Sequence, residues 1–303
     1  MIGRFVHLVR GLPRRSLTLT LGLLILAGLA AVTIVRPVAW PHGPAQVDSN
    51  QVLAFPALRH PLGTDANGRD VAARVMDGGR YAFAVPLAAV ALGIALGAPL
   101  GLLAGLFGGF ADRLMRRLFM AVGFIPPLLL ALALVAAMGP SLRHVVMAIG
   151  VLEAMFFARA MREEVRAMRT SGFVEGAVAA GNSWPRLVLM HLLPNTMAGI
   201  AVEIPRRVAS ALGTLAVMGF VGIGTAADGT EWGAMVRDGV AAMYAGQWWP
   251  AIFPGLALLT MGFGLQLLAA GLADLTARRA SEPGGSNSNT LDATRDATMA
   301  EAR

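Results

Sequence analysis

The chain has 303 residues, 56% of them hydrophobic and only 14% charged, with a mean hydropathy of +0.63. Soluble domains carry about 25% charged residues, so this composition excludes an ordinary soluble fold and points to a chain that crosses a bilayer several times. All 25 basic residues are Arg and Cys is absent, which excludes disulfides, thiolate metal sites and a cysteine nucleophile. A net charge of +7 and a pI near 11.3 invite a nucleic-acid reading, but most Arg sit where a membrane protein needs anchors beside its spans.

Six apolar stretches approach the ~20 residues that a bilayer crossing takes. They lie at about Ser16–Val35, Ala82–Phe107, Leu118–Met138, Val145–Phe157, Met197–Phe220 and Trp249–Leu272. The first follows Arg4, Arg10, Arg14 and Arg15. It is longer than a signal-peptide core and lacks a small-x-small cleavage site, so it reads as an uncleaved anchor. In the second, Gly93 and Gly97, then Gly101 and Gly105, put small residues four apart on one face, a pattern for close helix packing. The fourth is short and is expected to continue as a helix beyond the membrane toward Arg166.

The Arg bias sets the orientation. Arg4 to Arg15, Arg113 to Arg117, Arg159 to Arg186, and Arg278 with Arg279 fall on one side, which reads as cytosolic with both termini inside. The domain plan is then a cytosolic N-terminus at 1–15, an anchor at 16–35, an external segment at 36–81, a transmembrane core at 82–279 and a tail at 280–303. The tail is rich in Ser, Asn, Gly and Thr and is expected to be disordered. Arg69, Arg74 and Arg80 fall outside, offset by Asp65, Asp70 and Asp77; Trp40, Trp232, Trp248 and Trp249 mark outer span ends.

The fifth span carries Glu203, Pro205, Arg206 and Arg207 near its middle. A guanidinium at bilayer depth costs at least about 2.5–3.5 kcal/mol, so these groups should be paired or face a cavity. Glu203 lies four before Arg207, and Glu153 in the fourth span is a second candidate partner. Three readings stay open: a neutralised brace between helices, a cationic lining of a translocation path for carboxylate-bearing solutes, or charges at the interface. The five His residues, 7, 42, 60, 144 and 191, show no pair at helical or loop spacing suited to a metal, so no metal site is expected. Met115 and Met120 read as packing.

Residues 175–195 form a short polar segment between apolar spans. Glu175, Gly176 and Ala177 lead to Ala179 and Ala180, a small-residue face; Gly181, Asn182 and Ser183 make a turn; Pro185 opens a second helix and Pro194 stops it. The segment resembles the "EAA" loop of ABC importer permeases: Glu-Ala-Ala, a following Gly and a later Leu-Pro, here Leu193 and Pro194. Gly176 departs from the family's usual Ala at roughly 1 kcal/mol of helix propensity.

The resemblance extends over roughly residues 60–280. His60-Pro61-Leu62-Gly63-Thr64-Asp65 with Gly68-Arg69-Asp70-Val71 is similar to the external segment of dipeptide, oligopeptide and nickel permeases of the "C" subunit type. So are Gly101 to Gly105, Phe107-Gly108-Gly109, Ile125-Pro126, Phe220 to Gly224, Trp232 to Met235, Phe253-Pro254-Gly255 and Gly271 to Asp274.

That resemblance implies an all-α, six-helix type I ABC importer permease in a bacterial inner membrane. It implies a heterodimer with a homologous permease, two ATPases, and an external binding protein that delivers peptide, a nickel complex or a related solute. No cofactor is expected on this chain, with ATP and Mg on partner subunits; a Gly-Lys-Ser/Thr phosphate loop is impossible without Lys. The chain is therefore expected to be a transport subunit and not an enzyme. By the same resemblance, the coupling loop spans about 159–195, with Glu175, Gly176, Ala177, Ala180, Gly181, Leu193 and Pro194 as ATPase-coupling residues. Glu153, Glu203, Arg206 and Arg207 are candidate path residues, and Asp65, Arg69, Asp70 and Trp232 candidate docking contacts for the binding protein. The alternatives are an ion-coupled secondary transporter built on the Glu/Arg cluster, which predicts inverted repeats that are not seen, and an intramembrane enzyme, for which no nucleophile–base pair is found.

Overall fold

A computed structural model describes residues 14–169, 193–224 and 229–281. Among them are eight helices: α1 Arg14–Ala39, α2 Val71–Phe107, α3 Gly109–Gly123, α4 Pro127–Met138, α5 Leu142–Arg169, α6 Leu193–Val221, α7 Trp232–Met243 and α8 Trp249–Ser281. Five helices (α1, α2, α5, α6 and α8) are long and apolar enough to cross a bilayer, and the count rises to six where the bent α3–α4 pair is taken as one span. With 37 residues, α2 is about 55 Å long, well beyond a hydrocarbon core of ~30 Å.

Two spans differ from the sequence reading. The stretch read as one span over 118–138 is broken, α3 and α4 meeting at 91°. Consecutive prolines explain the break: Pro126 has no N–H to continue the ladder, and it biases Ile125 away from the α region. The second helix begins at Val71, eleven residues earlier than its apolar stretch. Asp70 starts it by accepting the Ala73 N–H at 2.9 Å. The charges that made 71–81 read as loop are paired inside the fold: Asp77 faces Arg36 at 3.5 Å and Arg80 at 2.9 Å, and accepts the Thr230 hydroxyl at 3.1 Å.

The core is centred on α2 and α5. Gly93, Gly97, Gly101 and Gly105 form one stripe along α2 against α5. A Cβ at Gly97 would lie 2.2 Å from the Ala154 carbonyl oxygen, and one at Gly101 2.2 Å from that of Ala158. The missing side chains let the two backbones touch. Around this contact Val90, Ile149, Phe157, Met161 and Val165 are fully buried, and α6 and α8 complete the bundle. α1 lies on the periphery against α8, where Gly271 meets Leu19 and Gly22 meets Leu268.

At one end of the bundle, residues 40–70 fold over the N-terminus of α2 through isolated bridges Val47–Arg69, Ala57–His60 and Thr64–Asp70. Trp249 at the start of α8 donates its indole N–H to the Thr64 carbonyl at 3.0 Å, and Trp232 donates to Val75 at 2.8 Å. The opposite end carries the C-terminus of α5 and the N-terminus of α6.

Candidate translocation path and coupling surface

The charges singled out on α5 and α6, Glu153, Glu203, Arg206 and Arg207, are paired as their desolvation cost demands. Arg207 donates from Nε to Glu153 Oε2 at 2.6 Å and from Nη2 to Oε1 at 2.8 Å. Such a bidentate fork is the strongest geometry available to an Arg–carboxylate pair. Glu153 is 2% exposed, and the absence of a Cβ at Gly93 lets α2 cover it, since one would lie 2.4 Å from the Glu153 Cβ. The Arg207 guanidinium also sits 4.2 Å above the Phe156 ring. Glu203 pairs with Arg206 at 2.5 Å, one turn along the same helix, and this pair is partly exposed. The i,i+4 pairing of Glu203 with Arg207 suggested by spacing is not formed: Arg207 pairs with Glu153 and Glu203 with Arg206.

Arg207 lines a cavity of ≈ 270 Å³ whose wall includes Ile125, Leu130, Leu152, Phe156 and Arg159. A second cavity of ≈ 590 Å³ lies beside it, lined by Arg113, Arg116, Arg117, Arg159, Arg162 and Glu163. The two share Phe119, Gly123 and Arg159. One face of α3, α4 and α5 thus presents two adjoining cavities, one cationic and one mainly apolar. The cationic one is held by Asp112, a buried carboxylate missed from sequence. It pairs with Arg162, with Arg166 at 3.2 Å and with Arg116 at 3.4 Å, tying α3 to the last turns of α5. The available signal was one acid beside Arg113, Arg116 and Arg117, matched by Arg162 and Arg166 four apart.

Of the coupling residues, Glu175, Gly176, Ala177, Ala180 and Gly181 lie outside the described residues. Leu193 and Pro194 open α6. Pro194 therefore sits in a helix's first turn, where its missing N–H is not needed, and the residues that carry the candidate coupling motif lie between α5 and α6 along the chain.

The docking residues divide into two kinds. Asp70 and Trp232 are 2% and 3% exposed, which leaves no surface for a partner; Asp70 caps α2 and Trp232 is tied to Val75. Asp65 and Arg69 are half-buried. Asp65 Oδ1 accepts the Asn67 N–H at 2.8 Å and the Arg69 N–H at 2.9 Å, making a tight turn, while its other oxygen faces Arg74 at 3.6 Å. Next to them Glu231 caps α7 by accepting the Gly233 and Ala234 N–H groups at 2.8 and 3.0 Å. Burial pushes its carboxyl up from 4.5 to about 6, against the lowering pull of those N–H groups and of Arg237. Space along the chain also misjudged the histidines: His42 and His60, eighteen positions apart, are brought together with Asp70.

Residues 97–279 match the family described as "Binding-protein-dependent transport system inner membrane component". The chain is 34% identical over 272 residues to the probable D,D-dipeptide transport system permease protein DdpC of Escherichia coli K12, covering 90% of each chain. It is 32% identical to the dipeptide transport system permease protein DppC of Alkalihalophilus pseudofirmus, covering 84% of this chain and 83% of the relative. Identity to the glutathione transport system permease protein GsiD of Shigella flexneri is 33%, over 88% and 87% of the two chains. With its helical bundle of five candidate spans and one bent helix pair, the chain belongs to the family of inner-membrane permease components of binding-protein-dependent ABC transport systems.

Proposed function

We propose that this chain forms half of the translocation pathway of an ATP-driven importer of peptides or peptide-like solutes. The paired cavities on α3, α4 and α5 carry the reading, because the bent pair around them is left open. Leu118, Met120, Phe124 and Leu129 are each more than half exposed, and a homologous permease placed there would close the route. Peptide cargo is supported by the relatives named for D,D-dipeptide, dipeptide and glutathione transport and by the Arg lining, which suits carboxylates. Both termini are cytosolic in this reading, with residues 40–70 outside, where a binding protein docks over Asp65 and Arg69. ATP and Mg belong to two partner ATPases that grip the segment joining α5 to α6. A closing groove there moves α5 and α6 as rigid bodies. Glu153 with Arg207 is the brace that transmits that movement between them.

The absence of Cys gives a clean test. In membranes containing the complete transporter, Phe124→Cys should cross-link to single cysteines placed across the partner permease, and Leu24→Cys on α1 should not. A cross-link from Leu24 and none from Phe124 would put the dimer contact on the wrong face and remove the half-pathway.

A further inference from the structure

We infer that His42 and His60 form a binding site for a divalent transition-metal ion of the zinc, nickel or copper class. The inference is independent of the cargo and of the ATPase partners proposed above. It starts from an orphaned atom. His60 is 5% exposed, and its Nε2 is buried with no hydrogen-bond partner among the described residues. Its other ring nitrogen, Nδ1, lies 2.9 Å from Asp70 Oδ2. An ionised carboxylate only accepts, so Nδ1 carries a proton, and in the neutral imidazole Nε2 then presents a lone pair. The second oxygen of Asp70 accepts the Ala73 N–H at 2.9 Å. The carboxylate is therefore fixed by the start of α2 and fixes the imidazole in turn. A carboxylate on one ring nitrogen and a metal on the other is the usual way a protein orients a histidine ligand.

A second imidazole stands beside the first. The His42 and His60 rings are 4.9 Å apart between centroids and inclined by 33°. The three side chains crowd together, a ligand atom of each lying within 4.8 Å of the others, and a shared ion needs His42 to turn toward Nε2 of His60. Two nitrogens each about 2.0–2.1 Å from a zinc ion need to be closer than roughly 4 Å. His42 is only half-buried and follows the end of α1 in a bend, so it has the freedom to close that distance, while His60 is held. Nitrogen donors select against calcium and magnesium, which take oxygen ligands, and imidazole suits zinc, nickel and copper. Two protein nitrogens leave further coordination positions for water.

The test uses the 303-residue chain, carrying no histidine tag, in lipid nanodiscs titrated calorimetrically with ZnCl₂ and separately with NiSO₄. The expected result is one saturable ion per chain, with affinity falling tenfold or more in His42→Ala. Asp70→Asn should weaken binding by about 10–100-fold through the loss of orientation. Because Asp70 also caps α2, His42→Ala is the decisive variant, and its unfolding temperature should match that of the unsubstituted chain. A variant lacking His7, His144 and His191 should bind as before. Equal affinity in the chain and in His42→Ala, no saturable ion at all, or binding that disappears with His7, His144 and His191 would each overturn the inference.

Discussion

Replacing Glu153 by Gln removes one charge and almost no volume, and the structure sets the cost. Glu153 is 2% exposed and supplies both acceptors of the Arg207 fork, at 2.6 and 2.8 Å. The variant leaves a guanidinium in a largely apolar pocket with Phe156 and a single amide oxygen for company. Breaking a buried pair from one side costs about 3–5 kcal/mol because it leaves an uncompensated charge, and removing both charges leaves none. Partial exposure of Arg207 toward its cavity places the expectation at the lower end, about 3 kcal/mol. Glu153→Gln and Arg207→Gln should each lower stability in a bilayer, measured by reversible steric trapping, and the double variant should recover most of the loss. Transport separates the roles. A brace lowers uptake of all cargoes in parallel with abundance, while a cargo contact makes Arg207→Gln selectively poor for carboxylate-bearing solutes. Single variants as stable as the unsubstituted chain, or a double variant showing the sum of both losses, would refute the pairing argument.

Three further outcomes follow from the same geometry. Gly97→Val should force α2 off α5, because even a Cβ meets the Ala154 oxygen at 2.2 Å; the cost is about 1–3 kcal/mol or more, read as lost folded protein, with Gly213→Ala, where nothing lies within 4 Å, as the unaffected control. Glu231 titrates at about 6 in the fold against 4.5 when unfolded. Its contribution to stability is thus greatest below 4.5 and declines as pH rises through 6, by about 2 kcal/mol in total; melting curves between pH 4 and 7.5 should show this slope in the unsubstituted chain and a flatter one in Glu231→Gln, and identical slopes would discount the burial argument. Gly181→Val, in the chain between α5 and α6, should leave insertion intact but separate ATP hydrolysis from transport, since a β-branched residue resists the positive-φ turn expected there from sequence; normal coupling would place the turn elsewhere.

The spans were legible because burial in lipid leaves long apolar runs, and the stripe at 93, 97, 101 and 105 was legible because helix packing has a period near four. The break at Phe124–Pro126 was not, since hydropathy over a window reads through a sharp bend, although the Ile125-Pro126-Pro127 sequence carried the signal. The early start of α2 was hidden by Arg74, Asp77 and Arg80, charges that look like a loop until their partners on α1 and before α7 are seen. Desolvation cost singled out Glu153 and Arg207, but choosing Glu153 over Glu203 needed the packing of α5 on α6. Asp112 with Arg162 and His42 with His60 are contacts through space, fixed by how α3 meets α5 and how residues 40–70 fold over α2; no spacing along the chain encodes them.

Uptake into proteoliposomes tests the central claim most directly. The chain, its homologous permease, both ATPases and the binding protein are reconstituted together, and labelled dipeptide is followed with ATP or with an imposed proton or sodium gradient. Uptake should require ATP, the binding protein and both permeases, and should be indifferent to the gradient. Gradient-driven uptake by this chain alone, in the absence of ATP, would contradict the account.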